Sequence, residues 1–182
     1  MSAMRLCVCL VVAAASIVGC SAPKDQYLNI SVRDYGTLKV ELFNRDAPRN
    51  VASVTSLADD GFYNGLTFHR LIPGFVIQGG DPNGDGTGGP GYTVSAEIKR
   101  KHERGSMGMV REGDQINPGK RSNGSQFYIC FQWTPQLDGQ YTVIGQVIDG
   151  WDVLDSLVKA ATDSIDRPLT PIVMEQVFVT TD

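Results

Sequence analysis

Arg70 is the residue with the strongest claim to chemistry, because of the company it keeps. It lies in FHRLIPGFVIQGGD, Phe68 to Asp81, among Phe68, Leu71, Ile72, Phe75, Val76 and Ile77, with His69 before it and Gln78 after. An arginine so placed admits two readings. In one, its stem lies on the core and its guanidinium reaches water, since arginine is rarely fully buried. In the other, the guanidinium sits in an apolar cleft with Phe75 and Gln78, its N–H donors aimed at an uncharged oxygen or nitrogen of a ligand. Other chemistries are poorly provided for. Cys130 stands in an apolar run with nothing nearby to lower its pKa, so it reads as a small core residue rather than a nucleophile. His69 and His102 have no partners at metal-ligand spacing. Asp81, Asn83, Asp85 and Gly86 match the opening of a calcium loop, but Tyr92 occupies the position that needs a bidentate Glu. Gly113 to Lys120 is one residue too long for a phosphate loop, and Arg121 follows where Ser or Thr is required. No metal and no cofactor is expected.

Short elements must position Arg70. Pro73-Gly74 is a turn signal, so Phe68 to Asp81 reads as two short strands around it. Alternation predicts strands over Tyr27–Val32 and Thr37–Phe43, joined as a hairpin by Asp34-Tyr35-Gly36. Asp46-Ala47-Pro48 reads as a helix start with Asp46 as N-cap; Val51, Val54, Leu57 and Ala58 follow at helical spacing, and Gly61 closes the helix. Asp81 to Gly91 is a Gly-rich loop, and Lys99 to Arg104 a basic run of solvated-surface type. Strands are expected over Gly105–Val110 and Ser125–Phe131, the second with Gln126 and Tyr128 on one face and Phe127 and Ile129 on the other. The polar loop Arg111–Asn123 lies between them. Asp138-Gly139 is a hairpin signal before a strand over Tyr141–Val147. Gly150–Val158 reads as an amphipathic helix, Ala160–Thr170 as a polar connection and Pro171–Val179 as a last strand. About eight short strands and two helices predict a mainly β chain, a closed antiparallel barrel.

FHRLIPGFVIQGGD resembles the signature of the cyclophilin-type peptidyl-prolyl isomerases. GTGG at Gly86–Gly89, SNGSQFYIC at Ser122–Cys130 and LDGQYTVIGQV at Leu137–Val147 resemble further motifs of that family in the same order. The resemblance implies an eight-stranded barrel capped by two helices, with a cleft on its outer wall that holds proline-containing segments of folding proteins. It implies Arg70 as the catalytic residue, Gln78 as the side chain that holds Arg70 and the substrate backbone, and Phe75, Val76, Tyr128 and Leu137 as walls of a proline pocket. It also implies Gly108 and Met109 as a strand pairing with the substrate backbone, Gln126 as a polar residue at the cleft, Tyr141 where His is usual, and His69 in support of Arg70. Three residues depart from the pattern. Tyr128 stands for Phe, Met109 for Asn, and Gln136 for the Trp of ciclosporin-sensitive members. The alternative on the same fold is a binding module, a chaperone or scaffold that holds proline segments without turnover.

The N-terminus reads as processing rather than fold. Arg5 and the apolar stretch Leu6–Val18 have signal-peptide architecture, too short to span a bilayer comfortably. The stretch ends at Gly19-Cys20, which resembles a bacterial lipobox. Residues 1–19 are therefore expected to be a lipoprotein signal peptide, 20–26 a lipidated Cys20 with its tether, and 27–180 the isomerase domain. Ser21 after the Cys points to the outer membrane of a two-membrane envelope, facing the periplasm. The 182 residues suit one domain, and 20 Gly with 9 Pro argue against a helical bundle. A net charge of −4 offers no basic footprint for nucleic acid. A monomer is expected.

Overall fold

The computed structural model describes residues 25–181; the expected signal peptide, Cys20 and most of the tether lie outside the described residues. The strands are β1 Gln26–Val32, β2 Gly36–Leu42, β3 Thr67–Ile72, β4 Val76–Gly79, β5 Thr93–Val94, β6 Ser106–Met109, β7 Ser122–Asn123, β8 Phe127–Cys130, β9 Val143–Asp149 and β10 Ile172–Thr181. The helices are α1 Pro48–Asp59 and α2 Trp151–Leu157, with a 3₁₀ turn at Pro135–Leu137. Eight strands close an antiparallel barrel in the order β1-β10-β3-β4-β8-β6-β9-β2, and β5 pairs with β7 outside it.

The alternation read from the sequence is what fills the barrel. Leu28, Ile30, Leu38, Val40, Phe127 and Ile129 all lie in one buried core, joined by Val51 and Val54 of α1 and Val153, Leu154 and Leu157 of α2. Each helix thus buries one apolar stripe against the barrel.

Three local expectations are corrected. Asp46 does not cap α1. The N-cap is Ala47 and makes no side-chain cap bond, while Asp46 accepts a hydrogen bond from Arg100. The first N–H groups of the helix go instead to Glu97, whose carboxylate accepts from the backbone of Arg49 and Asn50. Asp138-Gly139 does not make a hairpin. Leu137 ends the 3₁₀ turn and the next strand begins only at Val143. The basic run is not simply a solvated surface. Arg100 and Arg104 pair with Asp46 and Asp155, and His102 is fully buried. Asp81, Asn83 and Asp85 shape a turn: the Asp81 carboxylate accepts the backbone N–H groups of Asn83, Asp85 and Gly86.

Candidate active site

The site begins with a bulge. β3 and β4 pair Phe68 with Gly79 and then Arg70 with Gln78, so β3 carries one residue more than its partner. Such an insertion re-aims side chains. Phe68 and Leu71 both stay in the core, and His69 and Arg70 both leave it. Arg70 is left with 42% of its side chain exposed, its Nη2 lying 3.5 Å from Asp166 Oδ2. Asp166 sits in the connection from α2 to β10. It is fixed to β3 because Leu71 N–H donates to its carbonyl at 2.8 Å. Its backbone φ is 65°, a region that costs most L residues energy but that Asp enters more readily.

Beside Arg70 opens a cavity of about 180 Å³, lined by Phe75, Val76, Gln78, Tyr128, Leu137 and Tyr141. That is room for one side chain rather than a drug-sized ligand. Tyr128 and Tyr141 meet edge to face with centroids 5.8 Å apart. Val110 and Arg111 complete the lining. Arg111 lies over the Tyr141 ring, 4.8 Å from its centroid, while its Nε donates to the Gln140 carbonyl. Arg111 also borders a second cavity of about 410 Å³, shared with Gly86, Ile116, Arg121 and Gln126. The arrangement offers an apolar, aromatic hole with cationic N–H donors at its rim.

Behind the cavity the extra hydroxyl of Tyr128 is satisfied. It lies 2.8 Å from Nε2 of His102, whose Nδ1 is 2.9 Å from Asp138 Oδ1. Burial pushes the Tyr128 phenol well above its usual range. Burial also lowers the His102 imidazole, against the opposing pull of the Asp138 carboxylate. Desolvation raises Asp138, but its hydrogen bonds from His102 outweigh that and hold it below the usual carboxylate range. Cys130, buried beside Tyr128, is raised to about 11 by burial and is an inert thiol at neutral pH.

Comparison with known proteins decides the family. Residues 27–179 match the family described as cyclophilin type peptidyl-prolyl cis-trans isomerase/CLD. The chain belongs to the cyclophilins. It is 46% identical to a peptidyl-prolyl cis-trans isomerase of Helicobacter pylori over 139 residues, 74% of this chain and 81% of that one. It is 46% identical to isomerase B of Bacillus subtilis over 122 residues, 65% and 81% of the two chains. Its fold matches a cyclophilin-type isomerase from Cryptosporidium parvum with a TM-score of 0.80 and 34% identity, covering 87% of this chain and 99% of that one. The same Cryptosporidium protein, solved in the presence of the dipeptide Ala-Pro, matches with a TM-score of 0.79 and 33% identity over 86% and 99% of the two chains.

On this cyclophilin barrel Arg70, Phe75, Val76, Gln78, Tyr128, Leu137 and Tyr141 come together around one cavity. The other residues singled out in the sequence are placed differently. Gln78, the register partner of Arg70, donates from Nε2 to Gln126 Oε1, and Gln126 Nε2 donates to the carbonyls of Gly86 and Gly88. Gln126 is buried and clamps the Gly-rich loop. Gly108 and Met109 lie on β6, which runs between β8 and β9. The Met109 N–H already donates to the Thr142 carbonyl and its side chain is in the core, so that N–H is not available to a substrate backbone. Gly108 instead seats the Tyr128 ring; a Cβ there would come within 2.4 Å of Tyr128 Cζ. His69 faces the loop at Gly84 and Arg167. Neither ring nitrogen has a hydrogen-bond partner among the described residues, so Arg70 is held by Asp166 rather than by His69. Burial lowers the His69 pKa.

His102, Asp138, Arg111 and Asp166 were not singled out as site residues from the sequence. The one sequence signal is Tyr128 itself: a tyrosine in an apolar pocket needs a partner for its hydroxyl, and the fold supplies His102.

Proposed function

We propose that this cyclophilin accelerates rotation about X–Pro bonds in envelope proteins as they fold, with Arg70 stabilising the twisted amide. The observation that carries the reading is the half-exposed Arg70 guanidinium at the rim of an apolar cavity the size of one side chain. An X–Pro amide resists rotation by roughly 18–20 kcal/mol because its C–N bond is partly double. Twisting leaves a lone pair on the prolyl nitrogen and returns charge from the carbonyl oxygen. No bond breaks, so no nucleophile is required. The cavity would hold the proline ring, and Arg70 would donate to the freed lone pair or the turning carbonyl more strongly than to the planar amide. Reducing a step of tens of seconds to milliseconds requires about 5–6 kcal/mol of such differential binding. The relative solved in the presence of Ala-Pro supports a proline-containing segment as the ligand.

Exchange NMR on an X–Pro peptide, with protein lacking residues 1–20 and its Arg70→Ala variant, tests this. The expected result is fast exchange in the first and a loss of at least about 100-fold in the second. Fast exchange in both would remove Arg70 from the chemistry. Binding without faster exchange would leave a proline-segment scaffold instead of an enzyme.

The envelope placement rests on the lipobox-like Gly19-Cys20 after an apolar stretch of signal length. Lipid on Cys20 would tether a monomeric domain to the membrane, on the periplasmic face of the outer membrane in a two-membrane cell.

A further inference from the structure

We propose that His102 is a positioning residue of this cyclophilin, holding the Tyr128 and Leu137 walls of the proline pocket at the separation that the ring of the substrate requires. The inference rests on the isomerase reading for its substrate but on independent geometry. His102 is 0% exposed, and all its polar groups are used on two pocket walls. Its ring nitrogens reach Tyr128 Oη at 2.8 Å and Asp138 Oδ1 at 2.9 Å. Its backbone N–H donates to the same Asp138 oxygen at 2.8 Å. Its carbonyl accepts from the Thr134 N–H at 3.0 Å. Thr134 and Asp138 bracket the 3₁₀ turn that carries Leu137. One imidazole therefore fixes β8 against that turn, directly behind the cavity.

The direction of each bond follows from the donors. The Asp138 carboxylate can only accept, so Nδ1 carries the proton. Nε2 is then an acceptor and the Tyr128 hydroxyl donates to it. Gly108 packs so closely against the phenol that a Cβ there would meet both Cζ and the hydroxyl oxygen. If the imidazole takes a second proton, Nε2–H donates to the hydroxyl instead, and the bond between His102 and Tyr128 persists with its direction reversed. The groups facing this chain are Asp138 and Lys101 at the turn, and Cys130, Tyr141 and Arg111 around the phenol.

A wall holds the ring of the planar and the twisted substrate alike, so the effect falls on binding and not on turnover. The test is X–Pro peptide titration and exchange by NMR, with thermal unfolding recorded for each variant. His102→Asn keeps a donor for Asp138 and loses the bond to Tyr128; Tyr128→Phe removes one oxygen and keeps the ring. Each is expected to weaken peptide binding about five- to tenfold with bound-state exchange within about twofold of wild type. The double variant should bind no worse than either single, because both break the same bond. Wild-type affinity in folded Tyr128→Phe overturns the proposal, whether or not His102→Asn folds. Losses that multiply in the double variant overturn it as well. Peptide binding without exchange in the wild type would remove the isomerase reading while leaving the affinity contrast intact.

Discussion

At the scale of single residues, the site divides labour between a cation at the rim and an imidazole at the back. Arg70 gains little stability from Asp166, since both are about two-fifths exposed and pairs of that kind are worth at most ~1 kcal/mol. The pair orients instead. Asp166→Asn keeps a side chain that tolerates positive φ and removes the charge; it should slow isomerisation a few-fold, far less than Arg70→Ala, with unchanged thermal stability. Asp166→Val should also destabilise, because a β-branched residue at φ 65° is strained by about 1–3 kcal/mol. The two buried histidines make stability depend on pH. Burial lowers both below their unfolded value of about 6.5, so the folded state prefers them neutral. Their contribution is complete above that value and is lost as pH falls through the folded pKa values. Urea midpoints measured from pH 7.5 down to 5 should fall, with the drop beginning below about 6.5.

At the scale of elements, local rules found the strands and the helix interiors, and long-range partners decided the rest. The hydrophobic alternation of Tyr27–Val32 and Thr37–Phe43 was visible because it depends only on near neighbours. The cap of α1 was not visible, because Glu97 comes to it from far along the chain. Asp138 was misread for the same reason: its carboxylate is bound to His102 and not to its own turn. The bulge at His69 broke the two-residue period within the very motif that carried the resemblance, so the orientation of Arg70 followed from pairing and not from pattern. The cavity walls were legible through that resemblance; the polar ties behind them were not. Glu97 provides a direct test of the long-range cap. Its carboxylate also accepts from the Arg49 and Asn50 side chains. Glu97→Ala should therefore lower stability by on the order of 2–4 kcal/mol, read as a reduced urea midpoint at unchanged m-value. Gly108→Ala should force the Tyr128 ring out of its seat and weaken peptide binding, at a stability cost of about 1–3 kcal/mol.

At the scale of the whole molecule, the proposed role joins the barrel to a membrane through a short tether. Labelled palmitate fed to cells should appear on the protein and be lost in Cys20→Ala, which should then fractionate with soluble proteins. Unlabelled wild-type protein would instead leave Gly19-Cys20 as part of an ordinary secretory signal. Arg100 and Arg104 have acidic partners within the fold, so anionic lipid should contribute little to the anchoring, and raising salt should not release the protein.

In the proposed role the clients are extended, unfinished chains that seek a strand to pair with. The ring from β1 through β10 and back to β2 gives each of the eight barrel strands a neighbour on both sides, although β10 meets β3 only at Ile172 and Val173. Among the described residues only the two-residue strands β5 and β7 lie outside it, and the Arg121 side chain crosses to the Thr93 carbonyl of β5. Among the described residues, closure therefore leaves little free strand edge onto which a misfolding chain could add itself and begin to aggregate. In that proposed role the enzyme would bind proline segments through a side-chain cavity, at high local concentrations of sticky chain, without becoming the seed of a deposit.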